Sequence, residues 1–109
     1  MRRGELRWYT FAAPDKRWPV LLLTRDAVIE SLNEIIAVPA TRTIRGLSTE
    51  VLLSPDDRHA HELRVELRSR RYRERSRLGA VLTTLPGQRW PQVEKALLVA
   101  CGFEPRGDG

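Results

Sequence analysis

This chain has no long apolar run and almost no cysteine. No stretch approaches the roughly 20 apolar residues that span a bilayer, and the run 21–23 is too short and too far from the start for a signal peptide. Cys101 is the only cysteine, so an internal disulfide is excluded, and we expect it to pack on an apolar helix face. These features predict a soluble cytoplasmic protein with no membrane partner.

Histidine is also scarce. His59 and His61 form a His-x-His pair with Glu62 beside them, which on a strand would place both imidazoles on one face. A metal shell needs further ligands, however, and the chain has no third histidine and only one cysteine. Solvated surface histidines are the favoured interpretation, and we predict no metal site and no cofactor.

Positive charge is concentrated in one segment. The formal charge of +5 and the pI near 10.3 favour a polyanionic partner, without distinguishing RNA from DNA or an acidic peptide. Residues 58–75 hold seven Arg and three Glu, a balance of +4, so the rest of the chain contributes only +1.

The apolar pattern predicts a small α+β protein. Residues 18–24 form an uninterrupted apolar run, which we expect to be a central strand buried on both sides. A helix is predicted from about Arg89 to Cys101, with Gly102 placed to end it. A length of 109 residues fits one domain, 1–109, in which 104–109 form a loose tail. The other predicted strands are 5–11, 33–40, 49–53 and 78–84.

Three stretches carry a family resemblance. Residues 2–6, 17–26 and 39–50 read RRGEL, RWPVLLLTRD and PATRTIRGLSTE. Together they resemble the MazF/PemK family of bacterial toxins. The resemblance implies a small SH3-like β-barrel of the CcdB/PemK type with a C-terminal helix. It also implies a homodimeric endoribonuclease that binds single-stranded RNA across the joint surface and is held in check by a cognate antitoxin.

The resemblance also suggests catalytic residues. In the family, an Arg directly before the Pro of the central strand and the first Thr after the following strand handle the phosphate, and Thr41 matches that Thr. The residue before Pro19 is Trp18, and the nearest guanidinium belongs to Arg17. Because strand side chains alternate, a shift of one residue should turn Arg17 to the opposite face, unless a bulge redirects it. We therefore name Thr41 and Arg17 as the catalytic candidates.

Other side chains near Thr41 are candidates for RNA binding. Arg42 and Arg45 follow Thr41 in a loop and would contact the RNA backbone, although a solvated loop would carry such charges as well. Trp18 would stack on an unpaired base, or else pack in the core or at a dimer interface.

The segment 58–75 departs from the family pattern. Residues 63–67 alternate in a way that fits a strand, while the spacing of Leu63 and Leu67 also fits a helix turn. Residues 68–75 offer only Tyr72 as a large uncharged side chain, so we expect this part to lack fixed structure without a partner. An RNA-binding arginine segment with Tyr72 as a stacking platform and a solvated charged face are equally open interpretations.

A pair of compensating frame changes would explain the departure. One choice of permitted codons for residues 58–64, read one base later, can spell Gly-Met-Pro-Thr-Ser-Cys, which resembles family sequence at this place. The gene sequence tests this hypothesis, because a shifted frame must restore an apolar strand and an Asn-x-Asp-like motif.

Three functions follow from these observations. The first is a type II toxin that cleaves single-stranded RNA without a metal. The second is an impaired relative that binds RNA or antitoxin but cuts poorly because Trp18 occupies the usual Arg position. The third is a gyrase poison on the same fold, as in the CcdB toxins, which the hydroxyl and cation loop at Thr41 disfavours.

Overall fold

The computed structural model describes residues 1–11, 16–42, 45–53 and 63–103, which form an antiparallel sheet with two helices. Short 3-10 helices lie at Leu67–Ser69, Arg75–Arg77 and Gly87–Arg89. The strands are β1 Glu5–Thr10, β2 Arg17–Leu22, β3 Glu34–Thr41, β4 Glu50–Leu53, β5 Leu63–Glu66, β6 Arg71–Glu74 and β7 Leu78–Thr84, and the α-helices are α1 Asp26–Ile29 and α2 Trp90–Ala100.

Strand β3 joins the two parts of the sheet. The strand order is β4-β5-β3-β2-β1-β7, and β6 also pairs with β3. The first half of β3 pairs with β6, where Ile36 lies opposite Tyr72. Its end pairs instead with β5, where Thr41 lies opposite Arg64. Thr41 therefore lies in the smaller part of the sheet, at the end of the strand that the two parts share.

Strand β2 is buried on both faces, as its apolar run predicted. Leu21 packs in a core cluster with Val38 and with the buried residues of α2. Val20 and Leu22 point to the other face, into a second cluster that includes Ile29 of α1. Because β2 lies between β1 and β3, both of its faces are covered, and the prediction of a central strand is confirmed.

Helix α2 closes the larger cluster. Val93 and Ala96 are buried against it, and Pro91 lies in the first turn, where its missing N–H costs nothing. The helix ends as predicted at Gly102, whose φ is +85°. The Phe103 N–H donates to the Leu98 carbonyl over 2.8 Å, which is the Schellman arrangement. None of the described helices has the length and apolarity needed to cross a membrane.

The expectation that Cys101 packs on an apolar helix face was wrong. Cys101 is exposed and forms the C-cap of α2, one position after the last helical residue. The predicted tail, 104–109, lies outside the described residues.

The expectation that residues 68–75 lack fixed structure was also wrong. Residues 71–74 form β6, which pairs with β3, and backbone pairing of this kind needs no apolar side chain. The arginines themselves supply contacts: the Arg73 guanidinium lies 5.0 Å from the Phe11 ring centre, and Arg75 Nε donates to the Leu32 carbonyl over 2.8 Å. Sequence reasoning counted only apolar groups and missed these contacts.

The buried Gly4 ties three elements together, and Gly4→Ala should be strongly destabilising. Its N–H donates to the Leu22 carbonyl and its carbonyl accepts from Leu85, each over 2.8 Å. Its φ is +91°, and an added Cβ would lie 2.9 Å from the Trp90 ring. We expect a loss of about 2–4 kcal/mol in urea unfolding, from backbone strain and overpacking together. Gly87→Ala is the control, since nothing lies within 4 Å of its added Cβ, and equal losses in both variants would contradict the prediction.

Candidate phosphate-binding site

Thr41 and Arg64 face each other across β3 and β5. They are directly opposed in the antiparallel register, so their Cβ atoms should lie about 4.5–5.5 Å apart on the same face. Both side chains are half-buried. The Arg64 Nε is buried and has no hydrogen-bond partner among the described residues. The positive charge of Arg64 therefore lies on the strand next to Thr41, where it would stabilise an anion bound beside the hydroxyl.

The Thr41 cavity, as we name it, opens beside this pair with a volume of about 170 Å³. Thr41 and Arg45 contribute a hydroxyl and a cation, and Glu66 contributes a carboxylate that is already paired with Arg68. Arg42 is exposed directly after Thr41 but is not among the residues that line the cavity. The lining residues are Pro39, Thr41, Arg45, Glu50, Glu66 and Ser69.

Glu50 holds the loop that carries Arg45. Its carboxylate accepts the Arg45 backbone N–H over 3.1 Å and the Leu47 N–H over 3.3 Å. The carboxylate therefore fixes the backbone of this loop at the edge of the Thr41 cavity, while the Arg45 residue remains exposed. The structure thus brings Arg45 and Thr41 together, as the sequence suggested.

Trp18 lies on the Thr41 side of β2. Val20 is paired with Pro39, so continuing the alternation by two residues places Trp18 and Thr41 on the same face. The indole N–H donates to the Ala40 carbonyl over 2.6 Å, and 48% of the side chain is exposed. The interpretation that Trp18 packs in the core of this chain is therefore wrong. Base stacking and a dimer contact are the two interpretations that agree with its exposure.

Arg17 points away from this group. It belongs to the face of β2 that is opposite Trp18, and its guanidinium lies 5.0 Å from the Trp8 ring centre. Among the described contacts, nothing brings Arg17 to the Thr41 cavity. The alternation argument explains this position, and the catalytic role that the family resemblance implies for Arg17 is a hypothesis that the Arg17→Gln variant tests.

Sequence reasoning did not single out Arg64, although a signal was present. Leu63 and Val65 are buried in the core, while Arg64 and Glu66 alternate with them toward the Thr41 side. The sequence also fitted a helix turn through Leu63 and Leu67. In a helix, Arg64 would have had no partner on a neighbouring strand, so its position opposite Thr41 was not predicted. The strand interpretation of residues 63–66 is confirmed.

Glu66 is a buried carboxylate that stays ionised. Burial raises its pKa, but hydrogen bonds outweigh burial and leave the pKa below its ordinary value of 4.5. The donors are the Arg68 backbone N–H at 2.9 Å and the Arg68 Nε at 2.6 Å. The Thr49 hydroxyl also favours the ionised carboxylate, but it makes no well-formed hydrogen bond among the described residues. Glu66 therefore positions Arg68 beside the Thr41 cavity.

Glu66→Gln should weaken the fold at neutral pH by about 1–2 kcal/mol, because charge-assisted hydrogen bonds are lost. A lowered folded pKa gives stability that is present above the ordinary value of 4.5 and is lost as the pH falls through the folded pKa. Urea unfolding between about pH 3 and pH 7 should therefore show a shallower acid loss in Glu66→Gln than in the wild type.

Glu74→Gln is the matched control for that experiment. Glu74 is 58% exposed and pairs with Arg77 over 3.5 Å, so its replacement should change stability by less than about 1 kcal/mol. Identical acid profiles for wild type and Glu66→Gln would contradict the role given to Glu66.

The histidine pair cannot be placed. His59, His61 and Glu62 lie outside the described residues. Within the described ranges, no group of three or more His, Cys, Asp or Glu side chains is arranged to hold a metal ion.

Comparison with known proteins identifies the family. Residues 2–100 match the family model described as PemK-like, MazF-like toxin of type II toxin-antitoxin system. The chain belongs to this family. The resemblance inferred from residues 2–6, 17–26 and 39–50 is thereby confirmed.

Relatives in Mycobacterium tuberculosis share sequence with part of the chain. The chain is 47% identical over 53 residues to Probable endoribonuclease MazF5, a match that covers 49% of this chain and 48% of the relative. It is 51% identical over 37 residues to Endoribonuclease MazF3, covering 34% of this chain and 36% of the relative. The chain thus spans about half the length, or less, of the curated relatives it matches.

Solved structures of the family share the whole fold. The Mycobacterium tuberculosis toxin MazF-mt6 superimposes with a TM-score of 0.84 at 26% identity, covering 93% of this chain and 99% of that chain. A MazE-MazF crystal structure from Deinococcus radiodurans gives a TM-score of 0.80 at 25% identity, covering 95% of this chain and 98% of that chain. The predicted α+β class, with a curled sheet of the PemK type and a C-terminal helix, is confirmed.

Proposed function

We propose that this chain is the toxin of a type II toxin–antitoxin system and cleaves single-stranded RNA without a metal ion. The observation that carries the proposal is the position of Thr41, which lines a cavity together with Arg45 and lies opposite Arg64 on β5, although Arg64 is not itself a lining residue. A hydroxyl and guanidiniums on one face are the groups that a ribose–phosphate linkage needs. Family membership and the names of the relatives favour this function over a gyrase poison.

The reaction uses the nucleophile that RNA carries. The 2′-hydroxyl attacks the adjacent phosphorus and loses its proton, the bond to the 5′-oxygen breaks, and that oxygen takes up a proton. One product ends in a 2′,3′-cyclic phosphate and the other in a 5′-hydroxyl. Protein groups accelerate this step by orienting the linkage and by stabilising the negative charge that develops on the phosphate oxygens.

Each side chain of the site has a separate task in this proposal. Arg64 donates two parallel N–H groups to the phosphate, and the Thr41 hydroxyl donates to one of the same oxygens. Arg45 and the neighbouring Arg42 bind phosphates on either side of the scissile linkage. Trp18 stacks on an unpaired base next to Thr41, since about half of its side chain is open to solvent.

The assembly follows from the same family. A MazE-MazF pair has been crystallised from Deinococcus radiodurans, and we propose that a cognate antitoxin likewise binds and inhibits this chain. The active form is a cytoplasmic homodimer in this proposal, and RNA binds across its joint surface.

The deciding experiment incubates the purified full chain, free of antitoxin, with long single-stranded RNA in the presence of EDTA. Discrete cuts whose upstream products end in a 2′,3′-cyclic phosphate are expected. Binding without cuts would support the impaired relative instead. Gyrase-dependent DNA breaks would support the CcdB-like alternative.

A further inference from the structure

A second cavity, which shares the segment 68–70 with the Thr41 cavity, is strongly basic. It has a volume of about 290 Å³, and we name it the arginine pocket. Three guanidiniums line it and no carboxylate does, so it favours an anion. Its lining residues are Ile36, Arg68, Arg70, Arg71 and Tyr72.

The three arginines are held in place by the protein. Arg68 Nε donates to Glu66 over 2.6 Å, Arg70 Nη1 to the Leu67 carbonyl over 3.0 Å, and Arg71 Nη1 to the Arg70 carbonyl over 3.3 Å. Each of these bonds occupies one of the five N–H donors of a guanidinium. The remaining donors can bind a ligand, and the existing bonds reduce the entropy lost on binding.

Tyr72 gives the arginine pocket an aromatic wall. It is 69% exposed, the most exposed of the large hydrophobic side chains among the described residues. Its position is fixed by the pairing of β6 with β3, where it lies opposite Ile36. An exposed ring on a rigid strand beside cations is the arrangement with which single-strand binders stack a base and hold its phosphates.

The segment 68–70 contributes side chains to both cavities. Ser69 lines the Thr41 cavity, while its neighbours Arg68 and Arg70 line the arginine pocket. From Ser69 to Tyr72 is three residues, at most about 11 Å of extended chain.

The cavities open on opposite faces of β3, because Ile36 and its partner Tyr72 alternate along the strand with Thr41. An RNA strand bound at Thr41 would therefore reach the arginine pocket around the edge of the sheet at Ser69. The exposed Tyr72 ring among the cations favours RNA over an acidic peptide, because RNA supplies bases as well as phosphates.

We propose that the arginine pocket is a second RNA-binding subsite, in which Tyr72 stacks on an unpaired base and Arg68, Arg70 and Arg71 bind its flanking phosphates. The proposal rests on the nuclease function, because the RNA that fills the pocket is the substrate of that reaction. It assigns a task to the segment that departs from the family pattern.

The experiment measures the affinity of a fluorescein-labelled single-stranded RNA by anisotropy, with Thr41→Val as the background in every protein so that cleavage of the probe is slow compared with the measurement. Tyr72→Ala should weaken binding about 5- to 100-fold, whereas Tyr72→Phe, which keeps the ring, should stay within about twofold. The double variant Arg70→Gln and Arg71→Gln should reduce the slope of log affinity against log salt by about 1.4, as two phosphate contacts on a single strand require.

Arg77→Gln is the matched control, since Arg77 is exposed, pairs with Glu74 and does not line the arginine pocket. Its salt slope should equal that of the background protein. Each variant is first checked for a cooperative thermal transition, and Tyr72→Leu replaces Tyr72→Ala if that variant does not fold.

Four results would overturn the proposal. Equal RNA affinity in Tyr72→Ala and Tyr72→Phe would exclude stacking by Tyr72. If Arg77→Gln changed the salt slope as much as the double arginine variant does, the arginines of the pocket would contribute only non-specific charge. A Tyr72→Ala variant that loses dimerisation in sedimentation, or that loses affinity for polyglutamate rather than for RNA, would assign the pocket to a second copy or to an acidic segment. Failure of the nuclease function is a separate outcome, because it shows as absent cuts by the wild type while the binding series remains measurable.

Discussion

Replacing Thr41 by valine is expected to lower the rate of RNA cleavage about 100- to 1000-fold, which is the usual cost of one hydrogen-bond donor to a developing oxyanion. Valine keeps the branched shape of threonine and its strand propensity, so pairing with β5 should survive. Only the hydroxyl is removed from the Thr41 cavity. Single-turnover cleavage of a defined RNA, with protein in excess, measures the chemical step directly.

Thr41→Ser is the control for this expectation, since it keeps the hydroxyl and removes the methyl group. It should retain cleavage within about tenfold of the wild type, well above Thr41→Val. RNA affinity should change little in either variant, because arginines supply most of the binding. A Thr41→Val protein that folds and cuts at the wild-type rate would show that the hydroxyl takes no part in the reaction.

The strands and the terminal helix were predictable because their signals are local. The apolar run of β2 avoids water only when the strand is buried on both faces. Gly102 ends α2 with a positive φ, a conformation that is strained for other residues. Both features depend on residues that are close together in the sequence. Residue composition and spacing therefore sufficed, and the family resemblance supplied the curled sheet.

Strand β6 was not predictable in the same way. Its side chains offer almost nothing to bury, and its order comes from pairing with β3 and from arginine contacts to distant groups. Arg73, for example, lies beside Phe11, which is far away in the sequence. Contacts of this kind depend on the fold, so a count of apolar residues predicts disorder where the sheet supplies order.

Only part of the candidate site was predictable from the sequence. Thr41 and Arg45 lie close together in the sequence and line one cavity. Arg64 is remote in the sequence and reaches Thr41 only through the β3–β5 register, which no local pattern fixes. Alternation did predict that Arg17 would turn away, and its stacking on Trp8 agrees with that argument.

Arg64→Gln is expected to lower the rate of RNA cleavage about 100-fold or more, because it removes the cation that faces Thr41. Arg64→Lys should recover part of this loss, since an ammonium keeps the charge but lacks the two parallel donors. Urea unfolding of each variant separates a catalytic effect from a loss of stability, because the Arg64 Nε is buried. The rate is measured in the folded range of each protein.

Arg17→Gln provides the matched comparison, because it removes the same charge from the opposite face of β2. It should leave the cleavage rate within about threefold, as expected for a charge that only steers the substrate. If Arg17→Gln abolishes cleavage and Arg64→Gln does not, then Arg17 is the catalytic cation that the family resemblance suggested, and Arg64 is not.

The variant Trp18→Arg, made in the Arg64→Gln protein, tests whether a cation on β2 can replace the cation lost from β5. Trp18 lies on the face of Thr41, and its indole N–H is held by the Ala40 carbonyl, so an arginine at this position would start from the strand next to Thr41. A guanidinium restored from β2 should raise the rate of the Arg64→Gln protein at least about tenfold. A purely structural role for Arg64 would not be repaired by a cation on another strand, so rescue distinguishes electrostatic catalysis from packing. Absence of rescue in a folded, RNA-binding protein would mean that phosphate charge is stabilised elsewhere.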